Sequence, residues 1–214
     1  MLRILNKEID LNESKILYNA PFTTENMEKY WQVYNGNWHI EDGWLTAENP
    51  GDYPEFIMSR ENYPGNIILD FEARVVAPYD NDINFLLHSS MYEDKKDLAD
   101  SYIMSIGGWW EGKAGIERSP DYNLYAASSL FKLEPGATYR IQGGIVEDQL
   151  FIFIDGKLAI ETKDANPIDS SVHSRVGFDA YASHLQIRNL VIRQACWKPI
   201  QLSYAELRKS PVRV

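Results

Sequence analysis

Asn84, His88, Ser105, Glu117, Asp179 and Tyr181 are the side chains best placed to do chemistry in this chain. They fall on short stretches that read as neighbouring strands, at the parity opposite to Ile83, Phe85 and Leu87. Alternate residues of a strand share a face. An amide, a hydroxyl, two carboxylates, an imidazole and a phenol supply the planar donors and acceptors that fix a polyhydroxylated ligand. A carboxylate beside an imidazole or phenol can also move a proton, so His88 or Tyr181 is the expected base and Asp179 the group that orients it. His184, just after Tyr181, joins the expected binding set. Gly107-Gly108-Trp109-Trp110-Glu111-Gly112 adds two adjacent indoles. In an extended loop their side chains diverge, so at least one of Trp109 and Trp110 is expected outside the core, where it can stack on a pyranose ring. Each residue also has a plainer reading: polar side chains on antiparallel sheets commonly face water, and a lone histidine is more often a structural hydrogen-bonder than a base.

The elements that would position these residues read as strands and hairpins. Asp155-Gly156 lies between Leu150–Ile154 and Lys157–Ile160, and Asp42-Gly43 lies between Trp38–Glu41 and Trp44–Ala47. Asp-Gly between apolar runs signals a type I′ hairpin, which needs positive φ at both central residues. From Asn66 to Ala77 the residues Ile67, Leu69, Phe71, Ala73 and Val75 alternate with Ile68, Asp70, Glu72 and Arg74, the period of a strand. Further strands are expected at Glu55–Arg60, Asp82–Ser89, Tyr102–Ile106, Lys113–Arg118, Thr138–Val146, Val176–Tyr181 and Leu185–Arg193. Thr23–Trp31 is the best short-helix candidate, with Thr24 as its N-cap. Hairpins in succession without long helical patterns imply an all-β, two-sheet antiparallel jelly-roll sandwich. One domain over residues 1–214 is expected, its core spanning about 36–193 and both terminal segments packing on it.

Composition narrows the function. The net charge is −10, which excludes nucleic acid and an anionic membrane surface as natural partners. No apolar run approaches the roughly 20 residues of a membrane span. Aromatic residues make up 13% of the chain, with 6 Trp and 13 Tyr, a surplus that can furnish a stacking surface. A single cysteine, Cys196, permits no intrachain disulfide and is expected to be buried or inert. With no apolar signal region at the N-terminus, a cytoplasmic location is the expectation.

Other motifs carry less. Glu8-Ile9-Asp10-Leu11-Asn12-Glu13 matches Glu-x-Asp-x-x-Glu, the signature of the laminarinase and lichenase group of retaining glycosidases. That group carries the motif on a central strand, whereas here it precedes every recognisable strand, so it reads as a polar N-terminal segment. No His-x-His or His-Glu-x-x-His occurs, so no metal site is expected. Asp80, Asp82, Asp94, Asp97 and Asp100 crowd two loops. They could hold a divalent cation such as Ca²⁺, but their spacing fits no loop template and solvated loops are the better reading.

Three stretches bear a family likeness: Trp38-x-Ile40-Glu41-Asp42-Gly43-x-Leu45, Asp70-Phe71-Glu72-Ala73-Arg74, and Asn84-Phe85-Leu86-Leu87-His88. With Arg175-Val176-Gly177-Phe178-Asp179-Ala180-Tyr181 and Ile187-Arg188-Asn189-Leu190, they resemble the 3-keto-disaccharide hydrolase-like family over about residues 36–193. The pattern is similar also to a bacterial jelly-roll family of unknown function encoded among pectin-utilisation genes. The resemblance implies a concanavalin A-like lectin/glucanase fold and a carbohydrate ligand. The first family often carries Arg where His88 stands, Gln where Asp179 stands and His where Tyr181 stands. All three positions stay polar, so the resemblance implies sugar binding more than the 3-keto-sugar reaction.

The sequence therefore points to a protein that binds, and could process, a mono- or oligosaccharide on its concave sheet. Catalysis would fall to His88, Asp179 and Tyr181, with Asn84, Ser105, Trp109, Trp110, Glu117 and His184 binding. No cofactor is expected, and a homo-oligomer is compatible with the sequence. A non-catalytic sugar-recognition module or partner subunit is the alternative. A purely structural interaction domain would instead present an apolar face.

Overall fold

The computed structural model describes residues 1–201, without the side chain of Trp110. From the N-terminus come β1 (Leu2–Ile4), β2 (Lys7–Tyr18), α1 (Thr24–Tyr30), β3 (Trp31–Val33), β4 (Trp38–Glu41), β5 (Trp44–Asn49), β6 (Glu55–Ser59) and β7 (Ile67–Val75). Then follow β8 (Ile83–Ser89), β9 (Met91–Tyr92), β10 (Asp97–Leu98), β11 (Ser101–Gly108), α2 (Trp109–Gly112), β12 (Lys113–Ser119) and β13 (Asn123–Ser128). The last elements are β14 (Tyr139–Val146), β15 (Gln149–Ile154), β16 (Lys157–Lys163), β17 (Arg175–Ala180) and β18 (Ser183–Pro199).

The strands form two large antiparallel sheets, as the hairpin pattern predicts, and a separate two-stranded ribbon, β9–β10. A nine-stranded sheet runs β1-β2-β18-β7-β14-β15-β16, with β5 on β18 and β4 on β5. A seven-stranded sheet runs β13-β12-β11-β8-β17-β6-β3. Asp42 and Gly43 have φ of 48° and 78°, and Asp155 and Gly156 have 49° and 75°, as type I′ turns require.

Between the sheets lies the main core. Phe71 on β7 meets Phe85 on β8 at 5.3 Å and Phe178 on β17 at 5.4 Å, both edge-to-face, so three phenyl rings join the two layers. Burying each stabilises by about 1.5–3 kcal/mol. The β7 alternation holds: Ile67, Leu69, Phe71, Ala73 and Val75 all lie in this core. Because strands alternate, Asn84 and Asp179, each next to a core phenylalanine, emerge on the opposite face of the seven-stranded sheet.

On the outer face of the nine-stranded sheet, Arg140 and Arg188 pair with carboxylates of β7. Arg140 grips Asp70 with Nε and Nη2 at 2.9 and 2.8 Å, and Arg188 Nη2 lies 2.7 Å from Glu72. The guanidinium groups of Arg74 and Arg188 lie over the Trp44 ring, 4.4 and 4.2 Å from its centroid. A second apolar cluster, including Leu2, Ile4, Ile9, Phe151 and Phe153, covers the rest.

The chain termini differ from the sequence reading. The N-terminal segment enters the sheet as β1 and β2, paired with β18, which itself runs on to Pro199. Glu8 and Asp10 of the glycosidase-like motif are occupied structurally: Glu8 pairs with Lys198 at 2.8 Å, and Asp10 Oδ1 accepts from the Asn12 and Glu13 amides. Cys196 is exposed, because it sits on the β2–β18 ribbon rather than in the core. The α1 cap is Thr23 instead of Thr24, its Oγ1 accepting from the Asn26 amide at 3.1 Å. Asn123–Ser128 forms the edge strand β13, which the strand pattern of the sequence did not include. Residues 202–214 of the expected tail lie outside the described residues.

Candidate functional site

On the outer face of the seven-stranded sheet, β8, β11, β12 and β17 line a cavity of about 680 Å³. Asn84, Ser105, Glu117 and Asp179 stand on these strands in cross-strand register: Asn84 opposes both Ser105 and Asp179. Asp82, just ahead of β8 and two residues from Asn84, joins them. The wall above is aromatic, with Trp109, Tyr53, Tyr122 and Tyr181. The short β9–β10 pair contributes Asp97.

The floor holds carboxylates in an amide clamp. Asn84 Nδ2 donates to Asp82 Oδ2 at 3.0 Å and to Asp179 Oδ2 at 3.3 Å. Asp82 is fixed in turn by Ser183, whose Oγ donates to the Asp82 carbonyl at 3.1 Å. Glycine makes room for it: a Cβ on Gly108 would collide with the Asp82 carboxylate. Gly115 does the same for Trp109, whose Cδ1 would lie 2.8 Å from a Cβ there. The Tyr122 hydroxyl donates to Asp97 Oδ1 at 2.7 Å.

Desolvation dominates the electrostatics. Burial pushes the Asp82 carboxyl up to about 7 against the lowering effect of Asn84. Burial, with the negative charge of Asp82 nearby, brings Glu117 to about 7 as well. Asp179 is raised well above the ordinary carboxylate range by burial first and then by Asp82, with Glu117 and Asp97 adding. Like charges in one desolvated site cannot all ionise, so protons are retained on the group near neutrality.

Polar atoms here lack partners in a way the rest of the molecule does not show. Among the described residues, nine buried side-chain nitrogen or oxygen atoms have no hydrogen-bond partner. Four of them, Asp82 Oδ1, Asn84 Oδ1, Ser105 Oγ and Asp179 Oδ1, belong to this floor. Each such atom left unpaired costs about 1–3 kcal/mol, so their concentration at one cavity marks a place where water or a ligand can complete the bonding.

The sequence-derived set divides against this geometry. Asn84, Ser105, Trp109, Glu117, Asp179 and Tyr181 line the cavity together. His88 does not. Its φ is +46° and the β8–β17 register shifts beside it, so the parity breaks after Leu87. The His88 ring turns toward Tyr102, its Nε2 bonds the Gly65 carbonyl at 2.9 Å, and burial lowers its pKa. His184 lies on β18 beside Tyr79, ring centroids 6.1 Å apart, away from the cavity. The Trp110 side chain lies outside the described residues. Tyr53 and Tyr122 are cavity residues that the sequence did not suggest, and Asp82 and Asp97, read there as solvated loop carboxylates, line the cavity as well. Asp82 carried a usable signal, since it shares the parity of Asn84. Among the described residues no three His, Cys, Asp or Glu side chains converge as a metal-holding group.

No protein-family model and no curated protein matches the chain. Solved structures do. A protein of unknown function with galectin-like fold from Bacillus subtilis aligns with TM-score 0.68 at 14% identity, covering 88% of this chain and 99% of its own. The carbohydrate-binding module CBM66 from Bacillus subtilis aligns with TM-score 0.61 at 13% identity, covering 76% and 94%. A Bacillus licheniformis β-glucanase aligns with TM-score 0.56 at 10% identity, covering 86% and 99%. The fold is the galectin- and glucanase-like jelly roll.

Proposed function

We propose that this chain binds a mono- or oligosaccharide in the cavity on the outer face of the seven-stranded sheet and performs acid–base chemistry on it, as a glycoside hydrolase or lyase does. The carrying observation is the floor of three buried carboxylates, Asp82, Glu117 and Asp179, all with raised pKa values, beneath a Trp and Tyr wall. Aromatic faces stack on pyranose rings, and partnerless acceptors take up hydroxyl donors. The structural likeness to a carbohydrate-binding module and a β-glucanase supports the same ligand class.

For a glycoside, the carboxyl that keeps its proton near neutrality gives it to the glycosidic oxygen as the C–O bond breaks. An ionised neighbour takes a proton from the water that attacks the anomeric carbon. Asp179, the least exposed of the three and raised by burial, fits the acid and Glu117 the base. The partial likeness to the 3-keto-disaccharide hydrolase-like family agrees with sugar processing, though Asp179 and Tyr181 differ from its pattern.

The test is product formation from neutral oligosaccharides. Loss of turnover by about 100-fold or more in Glu117→Gln, with binding retained, supports the enzyme reading. Binding of wild type without any turnover supports the second reading, a sugar-recognition module, which the open aromatic wall favours. Absence of binding by any sugar overturns both.

A further inference from the structure

Four acidic residues, Asp82, Asp97, Glu117 and Asp179, line the cavity, and among the described residues no Lys or Arg does. Acid clusters elsewhere in the fold carry their counter-ions with them: Asp70 has Arg140, Glu72 has Arg188, and Asp164 has Arg118 at 2.9 Å. At the cavity floor the pairing is with a neutral amide, Asn84. The floor is built, not incidental: Asp82, Asn84, Ser105 and Asp179 are 6, 4, 2 and 5% exposed. Three of its partnerless atoms, Asp82 Oδ1, Asn84 Oδ1 and Asp179 Oδ1, are acceptors.

We propose that this cavity selects a sugar bearing a free amine, whose ammonium group sits among Asp82, Asn84 and Asp179. The inference rests on the sugar-binding reading above and names the ligand class within it. An ammonium has three N–H donors and no acceptor, the complement of a floor whose partnerless atoms include three acceptors. It supplies the cation that the wall lacks, whereas a neutral hydroxyl donates once and leaves the charge uncompensated. A uronate would bring a further carboxylate to a site that already holds four, and like-charge contact across a desolvated surface costs several kcal/mol. Asp82 and Asp179 hold protons near neutrality in the free protein because of burial and mutual repulsion. A bound ammonium reverses that balance, so binding releases protons from the carboxyls facing it. Asp82 and Asp179 flank it from either side of Asn84, with Glu117 on β12, Asp97 on β10 and the phenols of Tyr53, Tyr122 and Tyr181 completing the titratable lining.

Calorimetric titration of the full chain with three probes near neutrality tests this: a glucosamine trimer, its fully N-acetylated counterpart, and a galacturonate trimer. The glucosamine trimer should bind about 10-fold or more tighter than the acetylated one, with no saturable binding of galacturonate. Titrations in buffers of different ionisation enthalpy should show net proton release for the amine alone. Asp179→Asn should weaken the amine by about 10-fold and reduce its proton release. The proton release needs no variant and decides the matter even if Asp179→Asn misfolds. Equal or tighter binding of the acetylated or uronate trimer overturns the amine proposal and leaves the sugar site standing. Binding by none of the three overturns both.

Discussion

Asp82 and Asp179, 97 positions apart in the chain, accept hydrogen bonds from the same Asn84 nitrogen at 3.0 and 3.3 Å. Their oxygens therefore lie within about 6 Å of one another on a desolvated floor. Neither aspartate belongs to a strand adjacent in sequence to the other. The pairing of β8 with β17 brings them together, and the Phe85–Phe71–Phe178 cluster beneath fixes that pairing.

Asn84→Leu should expose what the clamp does. It removes both donated hydrogen bonds without opening a hole, leaving two buried carboxyls to face each other. Loss of a bond to a charged group costs about 1.5–3 kcal/mol, and the loss should be larger at pH 8, where both aspartates are driven to ionise, than at pH 5.5. Chemical denaturation at the two pH values measures it. An equal loss at both would mean that the amide acts through packing alone.

The protein should be more stable in mild acid than in mild base. The native state holds the Asp82 proton up to about 7, against an ordinary 3.8, and Glu117 up to about 7 against 4.5, while Asp179 shifts in the same direction. Between those limits the unfolded chain binds fewer protons than the native one, so stability falls as pH rises from about 4 to 7. Asp82 alone contributes on the order of 4 kcal/mol across that window. His88, lowered by burial, works the other way, losing stability as pH falls below its ordinary 6.5. Three carboxyls outweigh one imidazole, and Tm should rise by about 5–10 °C from pH 8 to pH 5.5. Asp179→Asn should flatten that profile and raise Tm at pH 8. A thermal melt series decides both.

His88→Ala should damage stability and spare the site. The imidazole bonds the Gly65 carbonyl and packs beside Tyr102, so its loss leaves a buried acceptor and a hole, at about 2–4 kcal/mol. Sugar affinity of the folded variant should stay within about twofold of wild type. A loss of affinity much greater than that, in protein shown to be folded, would return His88 to the site.

How far the sequence could be read follows from these cases. Asp-Gly turns and the β7 alternation are local signals with a steric cause, and they located the hairpins and the core face. Asn84, Ser105, Glu117 and Asp179 followed by counting in twos. Counting fails where the period breaks. The positive φ of His88 turned its side chain away from the face its number implied. On β2, the Asp10–Ser14 turn, with Ser14 Oγ donating to the Asp10 carbonyl, scrambled the alternation and hid a strand. Trp109 lies in a one-turn helix rather than an extended loop. Tyr53, Asp97 and Tyr122 reach the cavity from turns and a two-residue strand, where no period exists to be counted.

Gly115 should prove a determinant of ligand binding although it has no side chain to bind with. It pairs with Ser105 across β11 and β12, and Trp109 lies over it so closely that a Cβ would stand 2.8 Å from Cδ1. Its backbone is not in the left-handed region, so Gly115→Ala adds no conformational strain, and the methyl can be accommodated only if the indole moves. Trp109 is half-buried at the cavity wall rather than locked in the core, so the indole should yield before the strand does. Displacing a stacking ring removes roughly 0.5–1.5 kcal/mol of its contact with the sugar, about a 2- to 13-fold loss of affinity. Gly115→Ala and Trp109→Ala should then weaken oligosaccharide binding to a similar degree, and the double variant should be little worse than either alone. Additive losses in that cycle would show that Gly115 acts on the cavity by a route other than the indole.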